Sequence, residues 1–299
     1  MPLAAFPKCF IDAICVERTL TVEKWIEQSA QLDVDGLEFY WPFLAPDQPA
    51  QWERFRRLVE QQGRTIPMMC YSPDFTKPSP KERKQEIETQ QRAIRATAGL
   101  GGSFCRVLSG QNRPGIDRSQ GLKWVVDCLL ELIPVAESYR VTLVLENHYK
   151  DGFWQYPEFA QSMDLFLELL QAIPDSPWFG VNYDPSNAII AGDDPIQLLE
   201  GVKRRVRTMH ASDRYFQGGT IEDLRKEEQH PQTGYASILK HGVIGSGLND
   251  YDRIFSILKE AGFSGWVSIE DGPDPETGFD DLMQSARFLR TKMTQHNLR

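Results

Sequence analysis

The chain has 299 residues, 41% hydrophobic and 25% charged, an ordinary globular composition with enough apolar residues for a large core. One domain suffices, because α/β barrels commonly run to about 250 residues and more with insertions. Its 33 basic and 42 acidic side chains leave a net charge of −9, which argues against a protein that lives on nucleic-acid phosphates.

Five cysteines, an odd number with no CxxC pair, point to a reducing compartment rather than a disulfide framework. The N-terminal MPLAAFPKCFIDAIC lacks the pattern of a secretory leader. No run reaches the ~20 apolar residues that span a bilayer. A cytoplasmic, membrane-free protein is expected.

In chain order, strand-like runs fall at Cys9 to Ile14, Gly36 to Tyr40, Thr65 to Tyr71, Ser103 to Leu108, Val141 to Glu146, Trp178 to Asp184, Val206 to His210 and Gly265 to Glu270. Amphipathic stretches separate them. Ser79-Pro80-Lys81-Glu82 is a helix start with a cap, a first-turn proline and a capping-box glutamate. Asp194-Pro195 and Tyr156-Pro157-Glu158 read as similar starts. Eight alternating units predict a single-domain (β/α)8 TIM barrel over residues 1–299, with an open doubly wound sheet as the alternative. No glycine-rich dinucleotide fingerprint follows the first run. One long insertion, Asp213 to Asn249, follows the seventh strand; its length and glycines suit a lid, a surface elaboration or a subunit contact.

Four of the runs end on residues that ligate metals: Glu146 in VTLVLEN, Asp184 in WFGVNYDPSN, His210 in RVRTMHASD and Glu270 in GWVSIEDG. A parallel barrel gathers all its strand C-termini on one side, so the four converge there. Three carboxylates and one imidazole suit one divalent ion, Mn²⁺ first, with Mg²⁺, Co²⁺ or Zn²⁺ as alternatives. Each carboxylate taken singly is as readily a helix cap or half of an ion pair.

With those strand ends in place, the chain resembles the xylose isomerase-like TIM barrels, and within them the sugar isomerase/epimerase branch. The portions that carry the likeness are LVLENH, GVNYDPSN, MHASDR and GVIGSGLNDYDRIFSILKEAGFSGWVSIEDG. The resemblance implies that Glu146, Asp184, His210 and Glu270 hold the metal, and that Glu146 and Glu270 serve as an acid/base pair on opposite faces of a bound sugar. Two departures set this chain apart from ketose 3-epimerases. Asn147-His148-Tyr149 stands where they have proline and a hydrophobic residue, and Asn187 stands where they carry histidine.

The expected chemistry is proton abstraction next to the carbonyl of a ketose or keto-sugar, through an enediolate that a divalent ion stabilises. His210 would bind as neutral imidazole, so activity is expected to fall in acid. Asp213 and Arg214 are candidates to orient His210 and anchor substrate, against a plain ion pair. By strand alternation His148 shares a face with Glu146 and is a candidate second base or substrate donor; Asn187 is a further substrate contact. Glu38, Tyr71 and Ser109 end earlier strands and are expected near the pocket, with Trp41, Phe43, Phe75, Phe153 and Trp154 on following loops. His230 and His241 lack ligand spacing. The alternatives are a metal-dependent lyase or dehydratase, a non-catalytic sugar-binding barrel and a DNA-repair endonuclease. The expected partner is a small sugar or keto-sugar, with a homo-oligomer left open.

Overall fold

A computed structural model describes residues 1–45, 47–227, 229–230 and 233–298. In chain order the elements are β1 (Leu3–Ala5), α1 (Ile11–Cys15), α2 (Val22–Ser29), β2 (Gly36–Leu37), β3 (Phe39–Tyr40), α3 (Pro49–Glu60), β4 (Met68–Cys70), α4 (Pro80–Gly99), β5 (Phe104–Val107) and α5 (Arg118–Ser138). They continue with β6 (Thr142–Glu146), α6 (Met163–Gln171), β7 (Phe179–Tyr183), α7 (Pro185–Ile190), α8 (Pro195–Val202), β8 (Val206–Ala211), β9 (Arg214–Phe216), α9 (Ile221–Leu224), β10 (Leu239–His241), α10 (Tyr251–Glu260), β11 (Trp266–Ile269) and α11 (Gly278–Gln295).

The main sheet runs β2-β1-β11-β8-β7-β6-β5-β4-β3, and every neighbouring pair is parallel. β2 and β3 are two halves of one strand separated by Glu38, so the sheet closes on itself as an eight-membered barrel. The open doubly wound alternative is thereby excluded. Leu143, Val144 and Leu145 are buried on both faces, as expected of a strand with the barrel interior on one side and helices on the other.

Two expectations are corrected. The first strand is Leu3–Ala5, not Cys9 to Ile14, which forms a 3-10 turn and α1. A three-residue strand suffices because both edges pair, Leu3 with Val267 and Ala4 with Gly36. The chain then turns over the barrel mouth and places Lys8 there. Tyr156-Pro157-Glu158 does not start a helix either: α6 begins at Met163 after Ser162, and Glu158 forms an isolated antiparallel bridge with Gln111. The starts at Ser79 and Asp194 hold, each side chain accepting backbone N–H bonds of the first turn.

Within 213–249, Glu228, Pro231 and Gln232 lie outside the described residues. The rest contains an antiparallel pair, β9 with β10, in which Arg214 faces His241.

Candidate metal centre

Strand alternation sends every second side chain of the barrel inward, and at its C-terminal end these residues are polar. Glu38, Cys70, Arg106, Glu146, Asp184, His210 and Glu270 are all 9% exposed or less. One ligand atom from each of Glu146, Asp184, His210 and Glu270 lies within 4.8 Å of the others. His210 Nδ1 is 3.1 Å from Glu146 Oε1 and 3.2 Å from Glu270 Oε2. Its other nitrogen, Nε2, faces Glu38 at 3.0 Å. The Cys70 thiol in turn donates to Glu38 at 2.8 Å.

The electrostatics fit a cation. Burial first, then the neighbouring charges of Glu146 and Glu270, push Asp184 up to about 7. Burial alone would lower the His210 pKa, but the carboxylates of Glu38, Glu146 and Glu270 outweigh it and carry it well above the imidazole range. A proton on His210 thus stands in for positive charge that a divalent ion would supply, displacing it. Three carboxylates and an imidazole converging in a polar interior are a donor set for a hard or borderline divalent ion. Glu38 and Cys70 fit a different role. They lie on the far side of the imidazole, where a carboxylate fixes the tautomer of a ligating histidine.

The two glutamates of the quartet differ in surroundings. The Glu146 side chain is fully covered: Arg106 Nη1 donates to its Oε2 at 2.9 Å and Asn187 Nδ2 to its Oε1 at 3.2 Å. Burial raises its pKa, yet His210 and Arg106 hold it below the usual carboxylate range. Glu270 retains 11% side-chain exposure, with Lys8 Nζ at 3.7 Å. Despite burial, Lys8 and His210 hold Glu270 well below the usual range. Glu270 lines a cavity of ≈ 380 Å³ together with Lys8, Tyr40, Arg106, His148 and Asp151.

Of the other expected contacts, Asn187 sits with the quartet, its backbone N–H capping on Asp184 Oδ1 at 3.1 Å. His148 lines the cavity, stacked on Tyr149 with ring centroids 5.1 Å apart. Burial lowers its pKa to about 4, leaving a neutral ring. Arg214 is 2% exposed, lies over Tyr149 and Tyr235, and its Nε and Nη1 have no hydrogen-bond partner among the described residues. Asp213 does not reach His210. Its carboxylate accepts from the backbone N–H groups of Arg214, Gly245, Gly247 and Asn249 and ties the insertion down. Tyr71 and Ser109 are occupied elsewhere, with Glu86 and Glu158. Phe153 lines the cavity, whereas Phe43 and Phe75 are core residues. His241 pairs with Asp271 at 3.1 Å.

Sequence reasoning missed Lys8, Arg106 and Glu158. Arg106 carried a signal, a lone cation inside the apolar run FCRVL. Lys8 carried none once the first strand was misplaced.

A closed parallel barrel with two glutamates, an aspartate and a histidine at its C-terminal mouth defines a class of metal-site TIM barrels. Residues 26–292 match the xylose isomerase-like TIM barrel family, and the chain belongs to it. It is 25% identical over 175 residues to an inosose dehydratase of Clostridium beijerinckii, an alignment covering 57% of this chain and 54% of that protein. The chain thus spans about half the length of this curated relative. Among solved structures, a D-tagatose 3-epimerase-like protein superposes with a TM-score of 0.76 at 19% identity, covering 99% of this chain and 98% of the other. A xylose isomerase-like TIM barrel protein from Mycobacterium smegmatis in complex with magnesium gives 0.74 at 17%, covering 100% and 98%. At those identities the likeness is one of fold.

Proposed function

We propose that this protein is a divalent-metal-dependent enzyme that removes the proton next to the carbonyl of a polyhydroxylated ketone and expels the neighbouring hydroxyl as water. The observation that carries this reading is the contrast between the glutamates. Among the described residues, Glu270 is the one member of the quartet that lines the cavity, while Glu146 is enclosed by Arg106 and Asn187. Inversion by two glutamates, the expectation from the epimerase resemblance, needs both to exchange protons with substrate. A single open carboxylate suits elimination, in which one group takes the α-proton and hands it to the departing hydroxyl.

A divalent ion held by Glu146, Asp184, His210 and Glu270 would supply the Lewis acidity that stabilises negative charge growing on the substrate carbonyl oxygen. Mn²⁺ is the first choice, with Mg²⁺, Co²⁺ and Zn²⁺ compatible with the same donors. Glu270 takes the α-proton, and Lys8 beside it keeps the carboxylate ionised beforehand. Arg106 holds Glu146 ionised in its ligand position. His148, which lines the cavity, offers an N–H donor to substrate oxygens. An inosose is the first substrate to test, since the relatives that match part of the chain include inosose dehydratases.

The experiment incubates the protein and Mn²⁺ with inosose and a panel of ketoses in D₂O, followed by mass spectrometry. A product one water lighter, lost in Glu270→Gln, is the expected result. Deuterium uptake without loss of water would replace this reading with isomerisation or epimerisation. No uptake from any ketone would favour a binding barrel.

A further inference from the structure

The loop after β6 buries a carboxyl that neither the quartet nor the proposed proton transfer uses. Glu158 is 1% exposed, and its backbone N–H donates to Tyr149 O at 2.7 Å, locking the loop back against the residue beside His148. The Ser109 N–H donates to Glu158 Oε1 at 2.6 Å, and the Ser109 hydroxyl donates to the same oxygen. That oxygen is saturated. The other, Oε2, is buried without a partner and lies 3.9 Å from His148 Nδ1, which is itself buried without a partner. Two orphaned polar atoms facing each other are costly apart and cost nothing once one carries a proton for the other. Closing the gap by about 1 Å brings them into hydrogen-bond range.

We propose that Glu158 and His148 form a dyad in which Glu158 Oε2 donates to His148 Nδ1 and so holds the ring as its Nε2–H tautomer, presenting an N–H donor to the cavity. The polarity of the bond follows from the surroundings. No lysine or arginine pairs with Glu158 among the described residues, so an ionised carboxylate there would be an uncompensated buried charge. In line with this, burial pushes Glu158 up to about 8, against the two Ser109 hydrogen bonds. Glu158 is a positioning residue. It acts through His148 and gives the cavity a neutral donor, suited to a hydroxyl or carbonyl oxygen of the keto-sugar. In that functional part the inference rests on the reading proposed above.

The test is ¹⁵N NMR of the full chain labelled at histidine, with Mg²⁺ at pH 6.5, the His148 signals being assigned by their absence from His148→Asn. The expected result is Nε2–H favoured over Nδ1–H by about tenfold, the value of one ordinary hydrogen bond. Glu158→Gln should keep that tautomer, because its amide N–H donates to the same atom. Glu158→Leu should lose the bias. A wild-type ring protonated at Nδ1, or a bias unchanged in Glu158→Leu, overturns the dyad; should Glu158→Leu not fold, the wild-type and Glu158→Gln spectra decide. The spectrum needs no substrate. A correct tautomer in a protein that exchanges no α-proton would therefore keep the dyad and remove the proposed reaction.

Discussion

Glu146 and Glu270 belong to one quartet yet differ in what they can do, because Arg106 covers the first and the cavity opens on the second. With metal occupancy equalised, Glu270→Gln should reduce turnover at least about a hundredfold, the usual value of an acid/base group. Deuterium exchange into substrate should fall with it. Arg106→Met should instead destabilise the metal-free protein by about 3 kcal/mol, since it leaves His210 as the one cation facing the buried Glu146 carboxylate among the described residues. Urea unfolding reads this directly. Glu158 supplies a pH dependence of opposite sign to the usual carboxylate. Its folded pKa, about 8, lies above its ordinary value of 4.5, so the folded chain holds more protons between those values. Stability from this group is full below about 4.5 and is lost as the pH rises toward 8. The wild type should therefore lose stability relative to Glu158→Gln across that window, and a set of urea midpoints from pH 5 to 8 that run parallel would refute it.

At the scale of elements, the segment between β8 and α10 is anchored by one carboxylate, with Asp213 gathering the N–H groups of Gly245, Gly247 and Asn249. Only glycine fits at 247. A Cβ there would lie 2.2 Å from Asp213 Oδ1 and 2.4 Å from the Arg214 carbonyl oxygen. Gly247→Ala should cost about 1–3 kcal/mol by overpacking. Hydrogen exchange should rise first in residues 243–249 and leave β5 to β7 unchanged. The antiparallel β9 and β10 pack near the cavity through Tyr235, whose ring meets Tyr149 6.0 Å away. As a proposal for this insertion, a bound keto-sugar should raise amide protection in β9 and β10, as a cover that excludes water would. Identical exchange with and without a verified ligand would reduce the segment to decoration.

For the whole molecule, the four candidate ligands lie on β6, the end of β7, β8 and the end of β11, so an ion they held would be bound by the closed barrel alone. An ion bound only by the folded state stabilises it by about 2.7 kcal/mol at a hundred times Kd, or about 5 °C or more in melting temperature for a chain of this size. Mn²⁺ should produce that shift in the wild type and none in Asp184→Ala/His210→Ala. An equal shift in the double variant would place the ion elsewhere.

What was legible in the sequence has local causes. Short β-rich runs ending in Glu146, Asp184, His210 and Glu270 are local patterns, and parallel strands leave little choice about which end of a barrel their last residues share. Helix starts at Ser79 and Asp194 were readable for the same reason, since a cap acts within one turn. The first strand was not. Leu3–Ala5 is three residues long and is a strand because β11 and β2 pair with it, information held by residues far along the chain. Nor could sequence tell Glu146 from Glu270, because the difference is made by Arg106 on the neighbouring strand and by the cavity around Lys8. Glu158 reads in sequence as part of a helix start and comes to lie buried opposite His148 only when its loop folds back over Ser109. Local pattern determined the barrel and which four residues, Glu146, Asp184, His210 and Glu270, share its mouth, whereas which carboxylates are paired, open or neutral depends on burial and through-space charge, and those exist only once the barrel has closed.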